Sequence, residues 1–360
     1  MSTSPKGLAG RIPSLDQFRG YTVVGMLFVN FLGGYAAVPA VFKHHNTYCS
    51  YADTIMPQFF FAVGFAYRLT FLKRLRTVGV ARAVGAILKR ALGLALIGFA
   101  VYHLDGEFKR WADIERLGAA GVLAGAFRRE FFQTLVHIAI TSVWILPVIA
   151  LGVRARLLFM IATAALHLWL SSWFYLEWAW NTPVIDGGPL GFLSWSIPTL
   201  VGSFAYDAVV AGGSSWSAVG KMLFWSAVLA ATGYGLSCLG GEWAAPPFTP
   251  PDSGVPTLFL MSQRTGAVSY LTFAAGFSLA VYAFFVVVSD RFGLSLGLFR
   301  VFGVNALAAY LTHPIVAGAV KPFLPNDSPA WYVAIGVLVY LAICYIFNRS
   351  LEKNQIFLKL

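Results

Sequence analysis

Charged residues are scarce in this chain, since Asp, Glu, Lys and Arg together make up 11% of its 360 residues. A soluble domain carries about a quarter charged residues, so this composition excludes an ordinary soluble fold. Hydrophobic residues make up 58%. They come in blocks of roughly twenty residues, which match the hydrocarbon core of a bilayer. The sequence therefore predicts an all-α, polytopic transmembrane helix bundle in a multi-pass integral membrane protein.

Several chemical signatures are also missing. The three cysteines, Cys49, Cys238 and Cys344, do not have the spacing of a metal site or a redox pair. We find no Gly-rich phosphate loop, no nucleophile elbow and no Cys–His nucleophile pattern. No apolar stretch at the start has the form of a cleavable signal, so we expect the first apolar block to remain as a helix. We interpret residues 1–360 as one transmembrane domain.

The apolar blocks predict about ten membrane spans. The basic segment between the second and third blocks, residues 68–90, should stay in the cytoplasm because short loops rich in Lys and Arg do so. This choice places both termini in the cytoplasm. The predicted spans are about 18–40, 54–72, 84–103, 131–151, 156–176, 190–210, 218–240, 267–289, 299–320 and 330–348.

The formal net charge is +11, and the distribution of the charged residues along the chain agrees with this topology. Segments assigned to the cytoplasm contain 18 of the 26 basic residues but only 4 of the 15 acidic residues. A nucleic-acid-binding protein needs a basic face on a folded surface, whereas this bias is the one that orients membrane proteins. We therefore expect the lipid bilayer as a partner and no nucleic acid.

The first polar cluster within an apolar block is RIPSLDQFRG. Ser14 and Gln17 fit a capping box, and Asp16 and Arg19 share one face of the same turn. Two explanations fit the cluster equally well. It is either a capped helix start or a buried Asp–Arg pair near a phosphate bound at the cytoplasmic mouth. Asn30 in MLFVNFLGG lies in the middle of a span, where an amide either joins two helices or donates to an oxyanion.

The stretch VFKHHNTYCSYADTIMP places two histidines, His44 and His45, within nine residues of Asp53. Imidazole is the side chain best suited to move protons near neutral pH, and a nearby carboxylate can fix its tautomer. The topology places this loop on the outward side of the membrane. The pattern favours a proton-transfer pair, although one of two adjacent histidines in a loop is ordinarily just solvated.

A third polar group lies in VFGVNALAAYLTHPIV, within the predicted ninth span. Asn305 and His313 are eight residues apart, about 80° around a helix, so a continuous helix would point both into one cleft, near Tyr310. Three polar groups on one apolar helix favour function over packing. Gln133 and His137 share a helix face, a pattern more typical of a packing hydrogen bond. No histidine pair has the i, i+4 spacing of a helical zinc site, so we expect no metal, with zinc as a minor alternative.

Taken in order, these clusters resemble the membrane part of heparan-α-glucosaminide N-acetyltransferase and its bacterial relatives. The segments that carry the resemblance are SLDQFRG (14–20), MLFVN (26–30), FKH (42–44) and ADTIMPQFFFAVG (52–64). Weaker similarity continues in FQTL (132–135), GFLSWSIPTLVGS (191–203) and GVNALAAYLTH (303–313). The resemblance is specific over residues 14–70 and diffuse but collinear over the rest.

The resemblance implies a membrane acyltransferase that moves an acetyl group from cytosolic acetyl-CoA to an amino sugar or glycan acceptor on the extracytoplasmic side. It places the catalytic histidine at His44, and His45 stays an alternative because the spacing to Asp53 departs from the family by about one residue. The further catalytic positions that it implies are Asn30, Asp53, Asn305 and His313. We expect the donor to bind at Asp16, Arg19, Tyr310 and Gln133, with Asp16 and Arg19 at the cytoplasmic end.

Two other functions fit the same residues. A transporter or flippase-like protein would also line a cleft with histidines and asparagines, although no inverted repeat and few intramembrane acids are present. A surface-polysaccharide O-acetyltransferase would share the mechanism and differ in its acceptor. The chain as given has no counterpart of the large soluble lumenal region of the animal enzyme, so a glycosaminoglycan substrate does not follow. The features fit a bacterial inner membrane, while an organelle and a homodimer stay open.

Overall fold

The computed structural model describes residues 12–103, 110–126, 129–240, 245–251 and 256–358. Every regular element in these residues is a helix, so the all-α prediction is confirmed for the described part of the chain. The main helices are α1 (Pro13–Leu32), α2 (Tyr51–Val78), α3 (Val80–His103), α4 (Trp111–Ala126), α5 (Thr134–Trp144), α6 (Val153–Leu170), α7 (Leu176–Asn181), α8 (Gly191–Gly212), α9 (Trp216–Ser237), α10 (Val268–Phe285), α11 (Gly297–Val304), α12 (Ala306–Val320) and α13 (Ala330–Lys353).

Six helical segments within the described residues are long and apolar enough to cross a membrane, or seven if the bent pair of α11 and α12 counts as one. They are α2, α3, α6 continued through α7, α9, α10 and α13. The architecture is therefore that of an integral membrane protein with several apolar helices of membrane-spanning length. The number of such segments is smaller than the predicted ten.

Besides the span over the bent pair, three predicted spans have no counterpart among these six segments: 18–40, 131–151 and 190–210. The helices α1 and α8 are 20 and 22 residues long. Both carry buried polar side chains, such as Gln17 in α1 and Ser194 and Ser196 in α8. Such side chains are tolerated inside the bundle because neighbouring groups can bond them. The helix α5 has only 11 residues, and the rest of the predicted span 131–151 continues from it as turns.

The central contact of the bundle joins α2 to α8 through two glycines. A Cβ added at Gly64 would lie 1.7 Å from the carbonyl oxygen of Thr199, and one at Gly202 would lie 2.0 Å from that of Phe61. Only glycine allows the two backbones to approach so closely, as is typical of helix pairs in membranes. The contact fixes the direction of α2, and the first turn of α2 carries Asp53.

The start of α1 differs from the capping box predicted at Ser14 and Gln17. The helix begins at Pro13 without a side-chain cap, since proline at the first position has no N–H that needs a partner. The Ser14 N–H instead donates to the Asp290 carboxylate over 2.9 Å. Gln17 Oε1 accepts from the Leu296 N–H over 2.9 Å. The capping prediction is wrong, and both residues tie α1 to the segment before α11.

The helices α11 and α12 meet at Asn305 with a bend of 96°. Asn305 Nδ2 donates to the Ile356 carbonyl over 2.8 Å, and Oδ1 accepts from the Leu358 N–H over 3.2 Å. The single helix predicted over 299–320 is therefore wrong. The expectation that Asn305 and His313 point into one cleft is also wrong, because the backbone leaves the helical conformation at Asn305 and its amide binds the C-terminal segment.

Candidate functional site

A cavity of about 330 Å³ lies at the end of the bundle where the loop 33–50 joins α1 to α2. We call it the histidine cavity because His44 lies on its wall. Side chains from distant parts of the sequence face this one space. Its main polar lining residues are Asn30, His44, Gln133, Asp186, Gln263, Arg264 and Tyr310.

His44 is oriented by Asp53. The Nδ1 atom of His44 lies 2.8 Å from Asp53 Oδ1. Because a carboxylate oxygen accepts, Nδ1 carries the proton, and Nε2 of the neutral ring is the unprotonated nitrogen. The His44 side chain is 44% exposed, and it lines the cavity. The ring can therefore take a proton from a group bound in the cavity.

The Asp53 carboxylate is held by the turn that starts α2. Its Oδ2 accepts from the Ser50 N–H over 3.0 Å and from the Ser50 hydroxyl over 2.9 Å, as part of a capping box. The side chain is fully buried, and it lies at a helix N-terminus, where the helix dipole favours a negative charge. Asp53 is therefore a fixed, charged partner for His44.

Two opposing effects act on the pKa of His44. Partial burial of the ring disfavours its charged form and lowers the pKa, whereas the hydrogen bond to Asp53 and the charge of Asp53 raise it. Asp186 and Gln263 strengthen the second effect, and the net result is a pKa above its ordinary value. His44 is therefore a stronger base than a histidine in water.

His45 does not line the cavity. Its Nε2 donates to the Ala40 carbonyl over 2.9 Å, and its ring stacks on Tyr48 with the centroids 4.3 Å apart. Its main-chain N–H lies 3.4 Å from Asp53 Oδ2. The sequence did not decide between His44 and His45 as the catalytic histidine, and the structure places His44 at the cavity.

Asn30 and His313 form a second polar pair beside the same cavity. His313 Nδ1 lies 2.6 Å from the Tyr310 carbonyl, so Nδ1 carries the proton and Nε2 accepts. Asn30 Nδ2 lies 3.5 Å from that Nε2 and donates to it. Asn30 lines the cavity, whereas His313 is 7% exposed and lies behind it. One N–H of the Asn30 amide is therefore left for a group in the cavity.

Tyr310 connects the cavity to α3 and α5. Its hydroxyl lies 2.8 Å from the Tyr102 hydroxyl and donates to Gln133 Oε1 over 3.4 Å. The buried Gln133 Nε2 has no hydrogen-bond partner among the described residues. Because the Tyr310 proton goes to Gln133, the Tyr102 hydroxyl donates to Tyr310, and the donor that this part of the wall offers is Gln133 Nε2.

A second cavity, of about 480 Å³, lies beside the first. We call it the arginine cavity because Arg19, Arg74 and Arg90 line it. Three guanidinium groups in one cavity form a typical site for phosphate or carboxylate groups. The wall that both cavities share consists of Phe59, Thr134 and Tyr310.

Two further residues of the predicted site, Asp16 and Asn305, also do not line the histidine cavity. Asp16 lies in the first turn of α1, where its carbonyl oxygen would be 2.2 Å from a Cβ added at Gly303. Asn305 binds the C-terminal segment, and Leu358 of that segment lines the arginine cavity. The chamber of amides and imidazoles predicted from the sequence therefore contains Asn30 and His44 but not Asn305.

Asp186, Gln263 and Arg264 line the histidine cavity but are not among the predicted residues. They lie in two loops, 182–188 and 260–267. Asp186 begins the sequence Asp-Gly-Gly, which by itself indicates only a turn. Asp186 and Gln263 are 77 residues apart, and no local pattern links them.

The described residues contain no group of three or more His, Cys, Asp or Glu side chains that could hold a metal ion. No protein-family model matches the chain, and no curated protein matches it. The assignment of a function therefore rests on the geometry of the two cavities.

Proposed function

We propose that this protein is a membrane acyltransferase that moves an acetyl group from acetyl-CoA to an amino sugar or glycan on the other side of the bilayer. The observation that carries the proposal is the His44–Asp53 pair at the histidine cavity. This cavity shares a wall with the cationic arginine cavity. This arrangement supplies a base for the acceptor and an anion site for the donor. The resemblance to the heparan-α-glucosaminide N-acetyltransferase family agrees with it.

In this proposal the arginine cavity faces the cytoplasm. Arg74 and Arg90 belong to the basic segment 68–90, which should stay on that side because of the positive-inside rule. Both termini then lie in the cytoplasm as well. The helices α1 and α8, and α5 together with the turns that follow it, cross the bilayer along with the six apolar segments and the bent pair, which makes ten crossings. A bacterial inner membrane fits this topology.

The phosphate groups of acetyl-CoA would bind Arg19, Arg74 and Arg90. All three side chains are half-buried, and guanidinium groups hold phosphate oxygens through charge-assisted hydrogen bonds. Arg19 is one of the four residues that the sequence predicted for the donor, and Arg74 and Arg90 line the same cavity. The donor supplies the activated acyl group, and the shared wall is where its acyl end and the acceptor could meet.

His44 acts as the general base. As the acceptor nitrogen or oxygen attacks the thioester carbonyl, Nε2 takes its proton, and Asp53 stabilises the imidazolium that forms. The C–S bond then breaks, and the proton passes from His44 to the leaving thiolate. General base catalysis of this type typically contributes about 10²–10⁴-fold to the rate.

The oxyanion that develops during this step needs hydrogen-bond donors that are already in place. Asn30 offers one, since one of its two N–H groups is directed to His313 and the other is left. Gln133 Nε2 offers a second one on the same wall. His313 then orients Asn30, and Asn305 anchors the C-terminal segment instead of contacting the substrate.

The direct test is acetyl transfer by the purified protein. The protein is incubated in detergent with radiolabelled acetyl-CoA and glucosamine, and labelled product and free CoA are measured. We expect N-acetylglucosamine and CoA to form in equal amounts. Labelled esters of a glycan without any amide would indicate an O-acetyltransferase. No transfer to either amine or hydroxyl acceptors would contradict the proposal.

A transporter has one structural observation in its favour. The two cavities meet at Phe59, Thr134 and Tyr310, which could form a closed gate in a pathway across the membrane. A carrier, however, moves its solute unmodified and leaves acetyl-CoA intact. Uptake of unmodified labelled glucosamine into proteoliposomes, without release of CoA, would favour the transporter.

A further inference from the structure

Asp186 is a buried carboxylate on the wall of the histidine cavity that the mechanism above does not use. It is 4% exposed. Its backbone φ is 55°, in the left-handed region that non-glycine residues seldom adopt, although Asp and Asn tolerate it. Residues held in this conformation are concentrated at ligand and active sites. The conformation indicates a position that the surrounding structure fixes.

Two loops hold Asp186 in this conformation. The Gly187 N–H donates to the Arg264 carbonyl over 3.1 Å, and the Trp195 indole N–H donates to the Asp186 carbonyl over 2.6 Å. A Cβ added at Gly187 would lie 3.1 Å from the Cα of Gly266, so the loops touch backbone to backbone. The direction of the Asp186 side chain is therefore set by main-chain contacts.

The Asp186 carboxylate has few protein partners. Its Oδ1 accepts a hydrogen bond of 2.8 Å from Gln263 Nε2, and no other described side chain bonds it. Arg264, the cation on the same wall, donates instead to the carbonyls of Ala179 and Thr182 over 3.2 and 2.9 Å. A buried carboxylate without a paired cation is costly, so a positively charged ligand would stabilise it.

We infer that Asp186 binds the ammonium group of the acceptor, so that the substrate class of the histidine cavity is a primary amine. The role of this amine as the acetyl acceptor rests on the proposed function, whereas binding of the amine to Asp186 does not. An ammonium group has three N–H donors for a carboxylate. Asp53 cannot take this role because its two oxygens already accept from His44 and Ser50. Asp186 therefore holds the amine on the wall that also carries His44, and one ammonium proton passes to the Asp186 carboxylate before the neutral nitrogen attacks and gives its second proton to His44.

The pH dependence of amine binding follows from the surroundings of Asp186. Burial raises the pKa of Asp186 to about 6, although the Gln263 bond and the charge of His44 oppose this effect. The carboxylate is charged above that pH, so ammonium binding should be lost as the pH falls through about 6. Protonation of His44 acts in the same direction because it adds a positive charge. The titratable and charged groups that face Asp186 are His44, Asp53, Tyr102, Arg264, Tyr270 and Tyr310.

Asp186→Asn tests the inference with little risk to the fold, because Asn has the same shape and also tolerates the left-handed backbone. The exposed Asp327, in the loop between α12 and α13, does not line the cavity and provides the matched control Asp327→Asn. Binding of glucosamine and of glucose to detergent-solubilised protein is measured by calorimetry. The measurements are made without acetyl-CoA at about pH 7, where an amine is largely charged, and at about pH 5.

We expect the wild type to bind glucosamine more tightly than glucose near neutral pH, and to lose most of this preference at the lower pH. Asp186→Asn should weaken glucosamine binding by about 10- to 100-fold and leave glucose binding unchanged. Asp327→Asn should behave as the wild type. Equal glucosamine affinity in the wild type and Asp186→Asn, or no preference for glucosamine in the wild type, would overturn the inference.

Failure of this inference can be told apart from failure of the acyltransferase proposal. Glucosamine binding that depends on Asp186, without any acetyl transfer, would support the amine site and contradict the acyltransferase proposal. Acetyl transfer to glucosamine with the same kcat/KM in Asp186→Asn as in the wild type would support the acyltransferase proposal and contradict the amine site.

Discussion

Replacing Asp53 with Asn should remove the general base while His44 itself stays in place. The Ser50 N–H donates to Asp53 Oδ2 over 3.0 Å, and a backbone N–H can only donate. The oxygen of the new amide must therefore stay on the Ser50 side, which turns its NH₂ group toward His44 Nδ1. That nitrogen then has to accept, so the ring proton moves to Nε2. The nitrogen proposed as the base is then blocked.

The expected loss in kcat is the full contribution of a general base, about 10²–10⁴-fold. The pH dependence should change as well. Burial lowers the pKa of His44 and Asp53 raises it, so removing the charge of Asp53 should lower that pKa. Activity needs the unprotonated ring and rises with pH through the His44 pKa. The acidic limb of any residual activity should therefore move to lower pH.

The assay is the initial rate of acetyl transfer from radiolabelled acetyl-CoA to glucosamine across a range of pH. Ser50→Ala is the matched control, because it removes the capping hydroxyl but keeps the Asp53 carboxylate and its bond to His44. The control should lose about 1 kcal/mol of stability and only a small part of the rate. Asp53→Asn with a rate within about threefold of the wild type would refute the role of the pair, since general base catalysis contributes far more.

The roles proposed for Asn30, Asn305 and Arg90 give further predictions. Asn30→Ala should lower kcat by about 10²–10³-fold, as loss of an oxyanion donor does, whereas Asn305→Ala should leave kcat unchanged and speed hydrogen exchange of the C-terminal segment that it binds. Equal losses in initial rate for the two variants would contradict this distinction. Arg90→Gln should raise KM for acetyl-CoA several-fold with little change in kcat, because it removes one guanidinium from the arginine cavity. An unchanged KM in a donor titration would exclude Arg90 from the donor site.

The helices and the His44–Asp53 pair could be predicted because both depend on neighbours along the chain. A long apolar run implies a helix in a membrane, and the pair joins a loop to the first turn of the next helix. The wall formed by Asp186 and Gln263 could not be predicted, because it depends on two loops that only the packed bundle brings together. Neither loop has a composition that distinguishes it from an ordinary turn.

Asn305 shows a second limit of the sequence. A polar amide in an apolar segment needs a hydrogen-bond partner, but the pattern does not say which one. The sequence favoured a partner in a cleft, whereas the structure bends the backbone at Asn305 and provides the main chain of Ile356 and Leu358. Asn30 satisfied the same requirement through His313, which no local spacing could reveal.

The pair of adjacent variants His44→Ala and His45→Ala tests the central claim most directly. His44 faces the histidine cavity, whereas His45 bonds the Ala40 carbonyl and stacks on Tyr48. Acetyl transfer to glucosamine is measured for both, with membrane insertion checked by detergent extraction and size-exclusion chromatography. We expect His44→Ala to lose at least about 10²-fold in turnover and His45→Ala to keep nearly all of it. Near-normal acetylation by His44→Ala would contradict the account.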